Sequence, residues 1–400
     1  MQFHDPSPEL LRGLVDTEWD QLLAFSDRAH LTLIFGKGCW DYLPHRVRER
    51  IGHNYADNGA RLERLQETYR EIACALARAR AQHLVLKGFS QWPDFVGDIR
   101  QRMQSDLDLY CPEGLHFRAR DALRQMGYED VASPENNVGD HIPPLLRRTG
   151  WQWSGNAFDP EMPPSIELHY RLWNASSTRI GPFDFGGFSS RRIEREIGSV
   201  RFTALHPVDR FTYSALHALR HLLLGGLLPS HIYELAFFLH HNRHNEPLWK
   251  GWLSWHEDAL RSVAAVPCLL AAQWFGCQLP GIVDEEIRHL PETVPRWFRA
   301  FAYSPLAALF HRNKDALWLH LALIDSAREK CFILSRQLFP LWVPPLRSRW
   351  VQERVGKSST EQQKRIQAFF TYLYWFISRS LAHLRVVPLT LWNGLRLWSS

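Results

Sequence analysis

Residues 102–110 read Arg-Met-Gln-Ser-Asp-Leu-Asp-Leu-Tyr, and from Asp106 onward acidic and apolar side chains alternate strictly. Residues two apart on a β-strand project from the same face, so this stretch predicts a strand that turns Leu107 and Leu109 into a core and Asp106 and Asp108 away from it. Two adjacent carboxylates repel unless cations neutralise them. A pair of Mg²⁺ ions held by such a dyad can clamp the attacking and leaving oxygens of a phosphoryl or nucleotidyl transfer. Taken alone, the dyad reads more readily as a solvated acidic strand face, so the rest of the chain has to decide.

Working outward, Ile166-Glu167-Leu168-His169-Tyr170-Arg171-Leu172 alternates in the same way after the Pro-rich break at 159–164. That pattern puts Glu167, His169 and Arg171 on one side and Ile166, Leu168, Tyr170 and Leu172 on the other, which makes Glu167 the best candidate for a third carboxylate. A brief apolar run, His83-Leu84-Val85-Leu86, is stopped by Lys87-Gly88 and reads as another strand. Leu62, Leu65, Tyr69, Ile72 and Leu76 recur at steps of three and four and predict an amphipathic helix over 61–80, with shorter helices before it. A further helix is expected over 114–126, ending at Gly127. Beyond about residue 205 the pattern is helical almost to the end, over 207–224, 230–240, 260–275, 305–323 and 366–384. The expected fold is α+β: an N-terminal helical region (1–80), a small mixed-sheet core (81–204) and a large C-terminal helical region (205–400). No flexible linker separates the last two, so the helical region is expected to close over the same cleft as the carboxylates.

The chain has 400 residues, 45% of them hydrophobic and 22% charged, which excludes a disordered or disulfide-scaffold protein. A net charge of +5 is too thin a field to demand nucleic acid, though it suits anionic small molecules such as nucleotides. Six cysteines without a CxxC pair, and an N-terminus lacking a basic and then apolar stretch, point to a cytoplasmic protein with reduced thiols. No apolar run is long enough for a transmembrane segment. Seventeen tryptophans, concentrated in the C-terminal half, predict helices packed through aromatic surface. The stretch 365–398 mixes aromatics with arginine, as a helix lying on a membrane does. Core packing is the favoured reading there, because similar aromatic density pervades the whole half, and peripheral membrane contact is not expected. His217, His221, His231, His240, His241 and His244 lack a zinc-site pattern and are read as packing residues. Gly36-Lys37-Gly38 lacks the spacing of a phosphate-binding loop.

Four motifs in order, Leu84-Val85-Leu86-Lys87-Gly88, the Arg102 to Leu109 strand, Met126-Gly127-Tyr128 and Ile166-Glu167-Leu168-His169-Tyr170, give the chain its likeness to known proteins. Over roughly residues 15–250 it resembles an uncharacterised nucleotidyltransferase family related to the polymerase-beta-type minimal nucleotidyltransferases. The resemblance implies a nucleotidyltransferase core in which Asp106 and Asp108 are metal ligands, Glu167 is the third carboxylate, and the Lys87-Gly88 turn lies at the nucleotide phosphates. Broader relatives carry Gly-Ser or Gly-Gly at that turn; here Phe89 intervenes before Ser90, which leaves open whether Ser90 takes the serine's place. Arg102 reads either as a phosphate ligand or as a salt-bridge partner of one of the carboxylates. His169 reads either as an orienting group for Glu167 or substrate, or as a hydrogen-bonded strand histidine. The activity expected is a Mg²⁺-dependent, two-metal transfer of a nucleoside monophosphate from an NTP, with ATP the expected donor, to an acceptor that is a small molecule, a protein or an RNA end. The alternative is a non-catalytic nucleotide-binding or interaction module on the same fold.

Overall fold

A computed structural model describes residues 3, 7–131, 139–339 and 361–399. Alternation in the sequence becomes a mixed sheet of β1 (Leu84–Val85), β2 (Asp106–Tyr110), β3 (Tyr128–Asp130), β4 (Leu145–Arg147), β5 (Ser165–His169), β6 (Ile193–Ile197) and β7 (Val200–Ala204). The strand order is β3-β4-β5-β2-β1-β7-β6. At its centre β2 runs parallel to β5 and antiparallel to β1. The parallel pair requires a crossover, which includes the helix Leu115–Gln125.

One face of the sheet is apolar. Leu107, Leu109, Ile166 and Leu168 are fully buried. They cluster with Leu65, Tyr69, Ile72 and Leu76 of the long helix His45–Arg78 and with Ala119, Ala122 and Leu123 of Leu115–Gln125. Full burial of each such leucine or isoleucine contributes about 1.5–3 kcal/mol, so this layer fixes which way the alternating strands face. The helix Pro207–Leu224 packs on the opposite face of the sheet, where Tyr213 clusters with Leu84 and Leu86, and is tied to the core through buried groups. Arg210, wholly buried, donates to the Ser90 carbonyl and pairs with Asp94 at 2.9 Å, while Gln91 Nε2 donates to Ser214 Oγ at 3.1 Å. Asp209 beside it accepts both Nε and Nη2 of Arg191 and lies 3.0 Å from His256 Nε2.

Several expected elements differ in extent. The helix expected at 61–80 begins at His45, after Pro44, and the strand expected at 83–86 is only Leu84–Val85. The strand expected to run to Leu172 ends at His169, so Arg171 leaves the acidic face and lies 3.7 Å from Glu113. Pro267 divides the 260–275 segment into Asp258–Ala265 and Cys268–Phe275. Residues 366–384 lie within one longer helix, Glu361–Ser399. The expectation that its aromatics fill a core is overturned: Tyr374 is 76% exposed, Phe370 62% and Trp392 54%. This helix docks by one side only.

Candidate active site

The β2–β5 register brings Asp108 opposite Glu167 and Tyr110 opposite His169, so the second face of the sheet carries acidic groups side by side. Asp108 is buried, and its Oδ1 is held by Lys87 Nζ at 2.9 Å and His169 Nε2 at 3.0 Å. The same imidazole nitrogen stands 3.6 Å from Glu167 Oε2. Burial alone would raise the Asp108 carboxyl, but Lys87 and His169 outweigh it and hold the group well below the usual carboxylate range. Glu167 is likewise penalised by burial and pulled down chiefly by His169. Lys87 is penalised in the opposite sense, yet Asp108, with Tyr213, Asp106 and Glu167 beyond it, keeps its ammonium above the ordinary lysine value. His169 is raised on balance, its burial outweighed by the hydrogen bonds to Asp108 and Glu167.

Asp106 is different. Among the described residues its carboxylate has no hydrogen bond or ion pair, and burial together with the negative charge of Asp108 pushes its carboxyl up to about 7. The face therefore holds more carboxylate than Lys87 and His169 neutralise, a surplus that a hard divalent cation would relieve. One atom from each of Asp108, Glu167 and His169 lies within 4.8 Å of the others, close enough to share one ion. The donor set fits a divalent metal.

The other residues singled out in the sequence divide. Gly88 follows β1 with φ +69°, and Gln104 sits where a side chain would be, its Cδ 2.5 Å from an added Cβ. Gln104 in turn donates to the Asp106 carbonyl at 2.7 Å, so the glycine lets the turn lie tightly against the start of β2. The turn continues into a single buried 3-10 turn, Gly88–Gln91. Ser90 is fully buried and donates its hydroxyl to the Lys87 carbonyl at 3.1 Å, so it presents no donor to the cleft. Arg102 pairs with neither Asp106 nor Asp108 but with Glu234, Nε to Oε1 at 2.8 Å, both side chains nearly buried. Asn58 of the long helix holds the backbone that carries it, donating to the carbonyls of Arg100 and Arg102 at 2.7 and 3.0 Å.

Across from the carboxylates the helices Pro207–Leu224 and Pro229–Asn242 bring three histidines together. The ring centroids of His217, His221 and His231 are 4.4 to 5.5 Å apart. Burial first, then the Lys87 charge and Arg220, lowers His221 to about 4; burial with Lys87 and the neighbouring imidazoles also lowers His217 and His231 well below the ordinary histidine value. These rings are neutral at pH 7. Their i, i+4 spacing at 217 and 221 was visible in the sequence.

The helix Pro207–Leu224 thus lies over Asp106, Asp108 and Glu167, its Tyr213 and His221 within electrostatic reach of them, with Lys87 and the Arg102–Glu234 pair nearby. A family model described as an uncharacterised nucleotidyltransferase matches residues 16–276, spanning the long helix, the whole sheet and the histidine helices. No curated protein and no solved structure matches the chain. With the greater part of its length matched, the chain belongs to this family of nucleotidyltransferases.

Proposed function

We propose that the protein transfers a nucleoside monophosphate from an NTP, with ATP the expected donor, to an acceptor hydroxyl. The oxygen of that hydroxyl attacks the α-phosphorus, the bond from that phosphorus to the bridging oxygen of the β-phosphate breaks, and pyrophosphate leaves. Asp106, Asp108 and Glu167 would hold the divalent ions, Mg²⁺ being the ion suited to carboxylate oxygens. When bound, such ions supply charge neutralisation at the phosphates. Glu167 receives the acceptor's proton, and His169 orients Glu167 and Asp108. Lys87 is the cation available to the phosphates, while Gly88 and Ser90 shape the turn that aims it. Arg102, committed to Glu234, positions the cleft wall. The organisation into 1–80, 81–204 and 205–400 follows the same reading, with the helical part supplying the acceptor side. Free thiols at all six cysteines suit a cytoplasmic setting.

The observation that carries this reading is the β2–β5 register, which aligns Asp108 with Glu167 while the Asp106 carboxylate makes no ion pair among the described residues. Incubation with each labelled NTP and Mg²⁺, followed by measurement of pyrophosphate release and of label on protein, RNA or small-molecule acceptors, tests it. The Asp106→Ala variant is the control. Release by the native chain that is lost in the variant is the expected result; label bound without release would favour the second reading, a non-catalytic nucleotide-binding module. That reading draws on one observation, the Lys87 ammonium already seated on Asp108.

A further inference from the structure

The helix Glu361–Ser399 rests on the rest of the molecule along one side. Trp318 Nε1 donates to the Thr390 carbonyl at 2.9 Å, Asn393 Nδ2 donates to Asp315 Oδ1 at 3.0 Å, and His383 Nε2 lies 2.9 Å from the Leu338 carbonyl. Gly394 lies so close to the Trp318 indole that an added Cβ would come 2.0 Å from its Cζ2. This side is a fitted joint.

The opposite side has no such partner among the described residues. Ile366, Phe370, Leu373, Ile377, Leu384 and Leu395 recur at whole helical turns, and each is between 38% and 69% exposed. A helix of 39 residues is about 58 Å long, so this stripe is an extended apolar surface of a kind soluble monomers rarely expose. Tyr374 and Trp392, also exposed, border it. Charge decides what could cover it. From residue 362 to 400 the sequence contains no Asp or Glu, while Lys364, Arg365, Arg379, Arg385 and Arg396 are basic. A second copy laid along the same stripe would bring arginines against arginines, with Glu361 at the very start of each helix the one carboxylate on it to offset them. A layer of anionic headgroups suits this net positive charge, with the apolar stripe entering the acyl boundary and Tyr374 and Trp392 at headgroup level. No helix of the described chain is long and apolar enough to cross a membrane, so the geometry is that of a helix lying in the plane of the surface.

We propose that the Glu361–Ser399 helix docks the protein on an anionic lipid bilayer through its Ile366 to Leu395 stripe. The proposal is independent of the transfer chemistry. Its test is co-sedimentation of the full chain with vesicles of phosphatidylcholine alone and of phosphatidylcholine mixed with phosphatidylglycerol. Two double variants accompany it, Ile377→Asp with Leu384→Asp and Arg385→Glu with Arg396→Glu, each checked for native thermal unfolding. The expected result is binding to the mixed vesicles that is about tenfold weaker on neutral ones and falls about tenfold in either double variant. Raising the salt concentration weakens the charge-dependent part. Absence of binding to both vesicles overturns the proposal, as does binding that neither double variant weakens. So does a native dimer that the Ile377/Leu384 variant converts to monomer while the native chain ignores lipid. Should that apolar-stripe variant fail to fold, the charge-reversal pair, at exposed positions, carries the test.

Discussion

The two faces of the central sheet are built from the same two strands and obey opposite rules. On one, Leu107, Leu109, Ile166 and Leu168 are fully buried under two helices, and every contact there favours folding. On the other, Asp106, Asp108, Glu167 and His169 are crowded together, held by Lys87 and by one another, and Asp106 stands there at a cost in like-charge repulsion. One face carries stability, and the other spends part of it on a charge arrangement that folding does not need. Substitutions a single residue apart can therefore separate stability from chemistry.

The largest expected effect is on the acidic face. Asp108→Ala should lower pyrophosphate release by a factor on the order of 10³, as loss of one preorganised electrostatic group does; measured on folded protein, a loss below tenfold would dissolve the contrast. Next is its neighbour on the other face. Leu107→Ala should cost about 2–5 kcal/mol in denaturant unfolding while turnover per folded molecule stays near native. A smaller effect of opposite sign is expected one residue earlier. Asp106→Asn, measured without metal near neutral pH, should stabilise the fold by roughly 0.5–2 kcal/mol and abolish transfer. The sign follows because the Asp106 carboxyl is raised to about 7: its unfavourable ionisation grows as pH rises above the ordinary carboxylate range and is complete above 7. Destabilisation by asparagine would mean that the negative charge supports the fold.

The smallest effect comes from the imidazoles. His30 and His221 are lowered to about 4 by burial first and then by neighbouring cations, and burial also lowers His217 and His231 well below the ordinary value. Between the ordinary histidine value of 6.5 and these depressed ones the unfolded chain binds more protons, so stability should fall as pH drops from about 6.5 toward 4. Thermal unfolding at pH 7.5 and 5.5 checks this, and His221→Gln should flatten the dependence. The loss caused by Leu107→Ala should be the same at both pH values; a pH-dependent loss would show that the two faces are coupled.

Much of this was legible in the sequence where local pattern and burial agree. Asp106 to Tyr110 and Ile166 to His169 alternate because one side must be apolar, so the two faces, with Glu167 on the same one as Asp108, could be read directly. The β6–β7 hairpin escaped because Ile193-Glu194-Arg195-Glu196-Ile197 forms a charged edge strand without a period-two apolar side. Its two-residue Gly198-Ser199 turn, with Ile197 paired to Val200, was the available signal. The side-chain pairings in the site were not readable: Lys87 to Asp108 and Arg102 to Glu234 are choices made by distant segments after folding. The terminal helix shows the same limit, since its spacing announces an apolar stripe but not which side meets the protein.

The side-by-side register of Asp108 and Glu167 also makes their alignment indifferent to the length of chain between the two strands. Backbone hydrogen bonds of the parallel pair set the spacing, and the connecting segment has only to return. Around Ser154-Gly155 that segment is exposed, so extra residues can be accommodated there with little strain. A short epitope or a fluorophore-bearing cassette placed at this point would give the protein a reporter for following its partners in a living cell, with the two carboxylates still in step.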